Sequence, residues 1–325
     1  MKNDSTLLPL VAIVGPTAAG KSTLGVWLAE RMGGEVVVCD STQLYRGFDI
    51  GTAKPPESER RGIPHHLNDV LEPSEDATAG GYRQLALAVL NDLRQRKSLP
   101  VFTVGTGLYL RALLEGLADV PQRSEELRDR LRARAEEHAP GYLHRILQRL
   151  DAESAQKIAP ADEQKLIRAV EVCLLARKPI SELHRSGRSP LEGWRPFKVG
   201  LMPPRDQLYE RIRARTAAML EQGWLREVQG LLQSGLSENA KPFDFIGYRE
   251  LRAVLRNEMS LEQAREAIQQ STRRYAKRQL TWFRREAGVQ WFSGFGDDAR
   301  LQRDALNWLE SQGLLASREA NGRSV

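Results

Sequence analysis

The sequence has few cysteines, no long apolar run and no internal repeats, and each shortage removes a class of protein. Only Cys39 and Cys173 occur among 325 residues, which is too few for a disulfide framework or a zinc set. We expect both to be buried thiols in a reducing cytoplasm. No stretch of 18 apolar residues exists, so no membrane span is predicted. The apolar start could suggest a secretory signal, but it continues into a motif that cleavage would destroy.

The composition is that of a globular protein with an excess of cations. Hydrophobic residues make up 41% of the chain and charged residues 28%, which is material for one large or two ordinary domains. The formal net charge of +6 permits a polyanionic partner without requiring one. No obligate protein partner is evident from the sequence.

A phosphate-binding motif follows directly after the first apolar run. Leu10–Val14 has the pattern of a buried strand, Thr23–Arg31 has that of a helix, and Gly-x4-Gly-Lys-Ser stands between them. Such a loop points successive N–H groups at a phosphate, and the helix N-terminus adds partial positive charge. The predicted cradle comprises Gly15, Pro16, Thr17, Ala18, Ala19, Gly20, Lys21 and Ser22. Lys21 would contact terminal phosphates and the Ser22 hydroxyl would bind Mg²⁺, the predicted cofactor, unless the segment is merely a turn without a ligand.

Apolar and amphipathic patterns predict an α/β core that helices interrupt. Further strands are predicted at Val36–Cys39, Leu67–Val70, Val101–Val104, Phe197–Leu201 and Val289–Phe292. Helices are predicted at Ser124–Ala139, Tyr142–Leu150, Asp162–Arg177, Arg205–Gln222, Leu225–Ser234, Tyr248–Arg256 and Leu261–Arg285. We therefore predict an α/β fold with a parallel sheet of the P-loop NTPase type, a helical insertion and a helix-rich C-terminal half. The expected boundaries are 1–120 and 194–293 for the core, 121–193 for the insertion, and 294–325 for a C-terminal helix and disordered tail.

One predicted helix carries an uneven charge. Between Ala267 and Arg285 six residues are basic and none is acidic. On a helix, spacings of three and four align several of them in one stripe, with Ile268, Tyr275 and Trp282 on the face toward the core. A merely solvated helix face usually interleaves acids with bases, so the pattern favours phosphate contacts.

Polar residues follow two of the predicted strands. Val36–Cys39 ends in Asp40, and a parallel strand adjacent to the loop strand would bring this carboxylate to the bound phosphate. Asp40 also fits the Mg²⁺-holding acid of an ATPase. Thr106 follows Val101–Val104 at the same edge, and Gly51–Pro55 adds a glycine, a hydroxyl and a cation in a loop. Each segment alone is weak evidence, because short Gly/Thr turns are common.

Taken together, the segments resemble the bacterial tRNA dimethylallyltransferases of the P-loop isopentenyltransferase family. In order, they are GPTAAGKS, DSTQLYRGFDIGTAKP, PHHLNDV, GTGLYLRALLEGL, DEQKLIRAVEV, FIGYREL and YAKRQLTWFR, over residues 8–292. One departure is Val104, which occupies the first glycine position of the family's usual Gly-Gly-Thr. Because valine suits a strand end and Thr106 is retained, we expect a small backbone adjustment and retained activity.

The resemblance implies transfer of a dimethylallyl group from dimethylallyl diphosphate to N6 of the adenine 3′ of the anticodon in tRNA. Asp40 would accept the N6 proton, and Thr106 would orient the amine by a hydrogen bond. The loop N–H groups, Lys21 and Mg²⁺ would neutralise the leaving diphosphate. The loop would then hold a prenyl diphosphate rather than ATP, although the motif is typical of ATP sites. A cytoplasmic enzyme is expected.

The resemblance also implies contacts with the tRNA anticodon stem-loop. The target adenine lies in a loop and can be turned out of its stack for a few kcal/mol. The implied contacts are Asp40, Ser41, Thr42, Gln43, Thr106, Arg128, Gln164, Lys165, Leu166, Ile167, Arg168, Asp244, Phe245, Ile246, Gly247, Tyr248, Arg249, Lys277, Arg278 and Arg284. Arg128 and Lys165 could instead be solvated helix charges, and Gly247 could serve only as a turn.

Three other functions stay open at this point. A small-molecule kinase would explain Lys21, Ser22 and Asp40, but not the acid-free basic helix. An isopentenyltransferase acting on free adenine nucleotides would need no tRNA-binding C-terminal half. A non-enzymatic RNA-binding switch has no feature that favours it over the enzyme.

Overall fold

The computed structural model describes residues 7–185 and 188–314, which form two compact units. The first unit combines residues up to Leu113 with those from Glu192 onward, and the second consists of residues 114–191. The sequence analysis instead placed the insertion at 121–193. Each unit has a hydrophobic core of its own.

A six-stranded parallel sheet forms the centre of the first unit. Its strands are β1 (Leu8–Val14), β2 (Gly34–Cys39), β3 (His65–His66), β4 (Leu99–Val104), β5 (Trp194–Leu201) and β6 (Val289–Phe292). Their order across the sheet is β3-β2-β4-β1-β5-β6, and every neighbouring pair is parallel. β2 and β4 are buried along their whole length, as the near-continuous apolar runs of a covered parallel sheet predict. The predicted α/β class is thus confirmed.

Helices cover this sheet and extend the unit toward its C-terminus. They are α1 (Lys21–Met32), α2 (Glu57–Arg60), α3 (Ala79–Arg96), the start of α4 (Gly107–Glu115), α10 (Arg205–Glu221), α11 (Trp224–Gln233), α12 (Tyr248–Leu255), α13 (Leu261–Phe283) and α14 (Ala299–Ser311). α1 and α14 pack against β1, β4 and β5 in one apolar cluster. A second cluster joins α10, α11, α12 and α13 to the loop after β2, around Trp224 and Phe48. These contacts bring the C-terminal helices to the edge of the sheet where the phosphate-binding motif lies.

The second unit is helical in its described residues. Besides the end of α4 it contains α5 (Glu125–Glu137), α6 (Tyr142–Leu150), α7 (Ala152–Lys157), α8 (Glu163–Ala176) and α9 (Ile180–Arg185). Leu131, Leu147 and Val170 are among the side chains of its core. The short α7 and α9 were not predicted, because six residues carry too little periodicity to be recognised. Asp151 stabilises both by accepting hydrogen bonds from the amides of Ser154 and Ser181 at 3.0 and 2.7 Å.

Two sequence predictions about the sheet are wrong. Leu67–Val70 is not a strand, since Leu67 and Asp69 have φ angles of 65° and 55°, which end the extended backbone. Pairing with β2 stops at His66 instead. β2 is also not adjacent to β1, because β4 lies between them. Strand order depends on how crossovers pack over the sheet, which local sequence does not encode.

No helix in the described ranges is long and apolar enough to cross a membrane. The predicted tail after Leu315 lies outside the described residues, as do the first two residues of Ser186–Gly193, which the sequence suggests is a linker.

Candidate active site

The phosphate-binding loop connects β1 to α1 through backbone that favours glycine. Gly15 and Gly20 have φ angles of 144° and 84°. A Cβ on Gly15 would lie 2.8 Å from the Leu201 carbonyl oxygen, and one on Gly20 would lie 2.9 Å from the Gly296 nitrogen. Since Gly20 has no side chain to cap α1, and the first turn contains no acid, the free N–H groups of this helix end suit an anion.

The Lys21 side chain is hydrogen-bonded to two carbonyl oxygens of the loop. Its Nζ donates to the carbonyl oxygens of Gly15 at 3.1 Å and Pro16 at 2.9 Å. Burial lowers the pKa of Lys21 to about 8, although the charge of Asp40 opposes this shift. The ammonium is therefore held in place, poorly solvated, inside the loop that would receive an anion.

Asp40 follows β2, and its two carboxylate oxygens have different surroundings. Oδ1 accepts from the Thr42 amide at 2.9 Å and from the Thr42 hydroxyl at 2.7 Å. Oδ2 faces the chain at Gly105, where an added Cβ would come within 1.7 Å of it. In the described residues no hydrogen bond to Oδ2 is observed, so this oxygen is the one able to accept a proton from a ligand.

Thr106 lies beside Asp40 because β2 and β4 are neighbours. The amides of Gly105 and Thr106 both donate to the Cys39 carbonyl oxygen at 3.0 Å. Thr106 Oγ1 accepts from the Ser41 amide at 3.0 Å and donates to Ser41 Oγ at 3.2 Å. Val104, at the departure from the family pattern, is buried as the last residue of β4. Whether Thr106 also orients an amine stays a prediction.

A cavity of about 330 Å³ joins these groups. At one side it reaches the loop residues Thr17 and Ala18, and at another it reaches Asp40. Apolar side chains of α10, α11 and α13 form much of the remaining wall, including Ile212, Met219, Trp224 and Ile268. The cavity thus combines an anion-binding end, a carboxylate and an apolar lining.

Arg215 is a cation of this cavity that the sequence analysis missed. Its Nη1 lies 3.4 Å from Thr17 Oγ1, and burial lowers the pKa of the guanidinium against the opposing charge of Asp40. The sequence could have indicated Arg215 by its position in α10, next to the buried Ile212 and Met219 on the helix surface. An arginine at the edge of an apolar helix face is a candidate for a buried anion contact.

The loop motif at Gly51–Pro55 is mainly structural. Lys54, only 4% exposed, donates to the Tyr45 carbonyl oxygen and pairs with Asp49 and Asp69. The Gln43 Nε2 donates to the carbonyl oxygens of Thr52 at 2.9 Å and Ala53 at 3.2 Å. These bonds fold the segment after Asp40 back on itself.

The predicted tRNA segment 244–249 divides into cavity residues and supporting residues. Asp244, Phe245 and Ile246 line the cavity. Tyr248 is fully buried and donates from its hydroxyl to Glu227 at 2.6 Å. The Gly247 amide donates to Glu250 at 2.7 Å, and an added Cβ there would collide with Trp224. The exposed Arg249 pairs with Glu250 at 2.9 Å.

The second half of α13 and the two residues that follow the helix are rich in basic residues without acidic partners. None of these six cations forms an ion pair with any described residue; they are Arg273, Arg274, Lys277, Arg278, Arg284 and Arg285. Arg265, nearer the start of the helix, pairs with Glu262. A second cavity, of about 300 Å³, is bordered by Arg111, Lys277, Arg278, Thr281, Trp282 and Arg285. The opposite face of the helix carries the buried Ile268 and lines the first cavity. The same helix therefore borders both cavities, and Arg278 lines each of them.

The predicted tRNA residues of the second unit have internal contacts. Arg128 and Arg168 pair with the fully buried Glu171 at 3.1 and 2.7 Å. Leu166 and Ile167 are core residues. The exposed Gln164 and Lys165 complete the segment, and Lys165 pairs with Asp162 at 2.5 Å. Their contact with RNA stays a prediction.

Both cysteines are buried and unpaired, as expected. Burial raises the pKa of the Cys39 thiol well above its usual range. A thiol in this state is a poor nucleophile.

The parallel sheet carries a glycine-containing loop with a partly buried lysine after β1, a carboxylate after β2 and a cavity with apolar walls beside them. Family comparison specifies the class of protein. Residues 43–286 match the model of the IPP transferase family, and residues 8–66 match that of isopentenyl transferases. The chain belongs to the IPP transferase family.

Curated relatives and solved structures similar to this chain belong to the same kind of enzyme. The chain is 52% identical to the tRNA dimethylallyltransferase of Koribacter versatilis, over 93% of this chain and 98% of the relative. It is 43% identical to that of Geobacter sulfurreducens, over 87% and 91%. A tRNA isopentenylpyrophosphate transferase from Bacillus halodurans superposes with a TM-score of 0.70 at 35% identity, covering 96% of this chain and 99% of that one. A eukaryotic dimethylallyltransferase captured acting on tRNA gives 0.80 at 25% identity, covering 94% and 80%.

Proposed function

We propose that this protein transfers the dimethylallyl group of dimethylallyl diphosphate to N6 of the adenine 3′ of the anticodon in tRNA. The observation that carries the proposal is the cavity that connects the phosphate-binding loop to Asp40 along an apolar wall. A prenyl diphosphate has an anionic end and an apolar end, and it needs both surfaces. A tRNA substrate implies that the enzyme acts in the cytoplasm.

The phosphate-binding loop would receive the diphosphate. As the allylic C–O bond breaks, charge accumulates on the leaving oxygens, and cations fixed beforehand stabilise that charge most. Lys21 is held by two carbonyl oxygens, and Arg215 lies within reach of Thr17. Both residues are placed to bind the diphosphate and to favour its departure.

The donor set at this end suits Mg²⁺ that is bound largely through the diphosphate. No group of three or more histidine, cysteine or acidic residues in the described ranges could hold a metal ion by itself. Mg²⁺ usually retains water and is held by few protein ligands plus substrate phosphates. The Ser22 hydroxyl, at the start of α1, would be the protein ligand. Bound there, the ion would neutralise part of the diphosphate charge.

Asp40 would act as the general base on the acceptor. The adenine N6 lone pair is delocalised into the ring, so the amine becomes a competent nucleophile only as its proton is removed. The N6–C bond forms, the allylic C–O bond breaks with its electron pair going to diphosphate, and the N6 proton passes to Asp40 Oδ2. Thr42 fixes the carboxylate through Oδ1 and leaves Oδ2 for this task. Thr106 would hydrogen-bond to the amine.

The basic helix α13 would bind the tRNA backbone. The six basic residues from Arg273 to Arg285 lack ion-pair partners among the described residues, and phosphate contacts would supply them. Asp244, Phe245 and Ile246 line the first cavity, where the adenine turned out of its stack would be received.

The proposal is tested by incubating the protein with Mg²⁺, dimethylallyl diphosphate and unmodified tRNA, and measuring prenyl-adenosine by mass spectrometry. A parallel reaction with ATP replacing the prenyl donor should give no phosphorylated product, whereas a kinase would phosphorylate its substrate. Asp40→Ala should reduce kcat by roughly 10²–10⁴-fold and retain most tRNA affinity. Near-normal turnover in that variant would remove Asp40 as the base, and rescue by raised Mg²⁺ would make it a metal ligand instead.

A further inference from the structure

We infer that Gln279 is a positioning residue that fixes the phosphate-binding loop relative to the loop after β4, which lies against the proposed base. This inference rests on the proposed function. Gln279 comes from α13 and is only 6% exposed, so its side chain is inside the first unit. It lies within the family segment YAKRQLTWFR, but the sequence analysis assigned it no role of its own.

The oxygen and the nitrogen of the Gln279 side-chain amide each form a hydrogen bond to a different loop. Its Oε1 accepts from the Thr17 amide at 2.7 Å, in the phosphate-binding loop. Its Nε2 donates to the Gly105 carbonyl oxygen at 2.8 Å, in the loop after β4. One planar group therefore joins two loops that are 88 residues apart in the chain, as residues 17 and 105.

Each loop holds one reacting group in place. Thr17 belongs to the phosphate-binding loop that holds Lys21, where the leaving diphosphate would lie. The Gly105 side contacts Asp40 Oδ2 so closely that no Cβ fits between them. A change in the separation of the loops therefore changes the distance between the leaving diphosphate and the base.

Tyr275 supports only one end of this connection. One helical turn before Gln279, its hydroxyl donates to the same Gly105 carbonyl oxygen at 3.2 Å. Burial raises the pKa of Tyr275, so its hydroxyl keeps the proton that it donates. Tyr275 can hold the Gly105 loop against α13, but it forms no hydrogen bond to Thr17 in the described structure. Gln279 is the group that connects the two loops.

Two variants test this assignment. Gln279→Met fills nearly the same space without either hydrogen bond. Gln279→Glu retains an acceptor for the Thr17 amide, but its carboxylate repels the Gly105 carbonyl oxygen until it is protonated. A protonated glutamic acid restores both hydrogen bonds, so lowering the pH should rescue this variant and not the other.

The measurements are kcat, donor KM and tRNA Kd from pH 5.5 to 8.5, well below each variant's melting temperature. For Gln279→Met we expect a loss of about 10²-fold in kcat, the effect of a misplacement on the order of 1 Å, with donor KM changed less than about tenfold. The kcat of Gln279→Glu relative to wild type should rise as the pH falls, and that of Gln279→Met should stay flat. Affinity for tRNA should change little in either.

A matched control is Gln302→Glu. Gln302 is also a buried glutamine that donates to a glycine carbonyl oxygen, that of Gly296 at 2.8 Å, and the Gly296 amide donates to the Ala19 carbonyl oxygen at 2.8 Å. Gln302 therefore supports the phosphate-binding loop without connecting it to the loop after β4. This variant should melt earlier without a pH-dependent recovery of relative kcat. A kcat for Gln279→Met within threefold of wild type, a loss confined to donor KM, or a flat Gln279→Glu profile would each overturn the inference. An inactive wild-type enzyme would refute the proposed function itself.

Discussion

Replacing Gly105 by alanine should displace the proposed base without touching the diphosphate cradle. Gly105 is not among the glycines with positive φ, so an alanine there meets no backbone strain. Its Cβ would, however, lie 1.7 Å from Asp40 Oδ2 and 2.7 Å from its Cγ. Ordinary contact begins near 3.5 Å, so the carboxylate has to move by more than about 1 Å.

A displacement of this size should slow proton transfer to Asp40. A misplacement of about 1 Å can cost on the order of 10²-fold in rate, so we expect Gly105→Ala to lower kcat by that factor. Donor KM and inorganic diphosphate affinity should stay close to wild type, because Lys21 and Arg215 are untouched. Overpacking should also lower the free energy of unfolding by about 1–3 kcal/mol.

Gly230→Ala is the matched control. Gly230 lies inside α11, and no atom lies within 4 Å of an added Cβ. Alanine there should raise the free energy of unfolding by about 0.5–1 kcal/mol and leave kcat unchanged. Steady-state prenyl transfer and thermal melts of the three proteins provide the comparison. A Gly105→Ala enzyme with near wild-type kcat would refute the placement of Asp40 as the reacting base.

Further predictions concern charge. Because the pKa of Lys21 is about 8 and an anion favours its charged form, affinity for inorganic diphosphate should fall by up to about tenfold per pH unit above pH 8 in calorimetric titrations. Lys21→Met should bind more weakly and lack this step. Replacing Arg274, Lys277 and Arg278 by alanine should weaken tRNA binding and leave the melting temperature unchanged. The slope of log Kd against log salt concentration should fall by about 0.7 for each phosphate interaction removed. An unchanged slope would mean that these residues form a merely solvated helix face. Glu171→Gln should lower the free energy of unfolding by about 3 kcal/mol at pH 7, since two arginines lose a buried partner. Burial opposes the charged form of Glu171, but hydrogen bonds from Arg168 and the Ser124 amide and the charge of Arg128 outweigh it and lower the pKa. The contribution of this carboxylate is therefore present above about pH 4.5 and lost on acidification, where the variant's denaturant curve should approach wild type.

The sequence alone determined the features that depend on local order. Apolar runs identified five of the six strands, since a covered parallel sheet needs near-continuous burial. The glycine spacing identified the phosphate-binding loop, because its backbone requires φ angles that few other residues adopt. Asp40 was selected because it directly follows β2, and Thr106 because it lies two residues after β4; their catalytic roles stay predictions. The acid-free stretch of α13 was likewise visible without any coordinates.

Only the tertiary structure decided which distant groups meet. β4 lies between β1 and β2, and this order is what brings Thr106 beside Asp40. Arg215 lies in helical sequence without a motif and Gln279 lies in a family segment that assigned it no role; both contact Thr17 across the fold. Strand order, crossover packing and side-chain convergence depend on contacts far apart in the chain. Local propensity does not encode such contacts, which is why sequence patterns located the chemistry but not the geometry that aligns it.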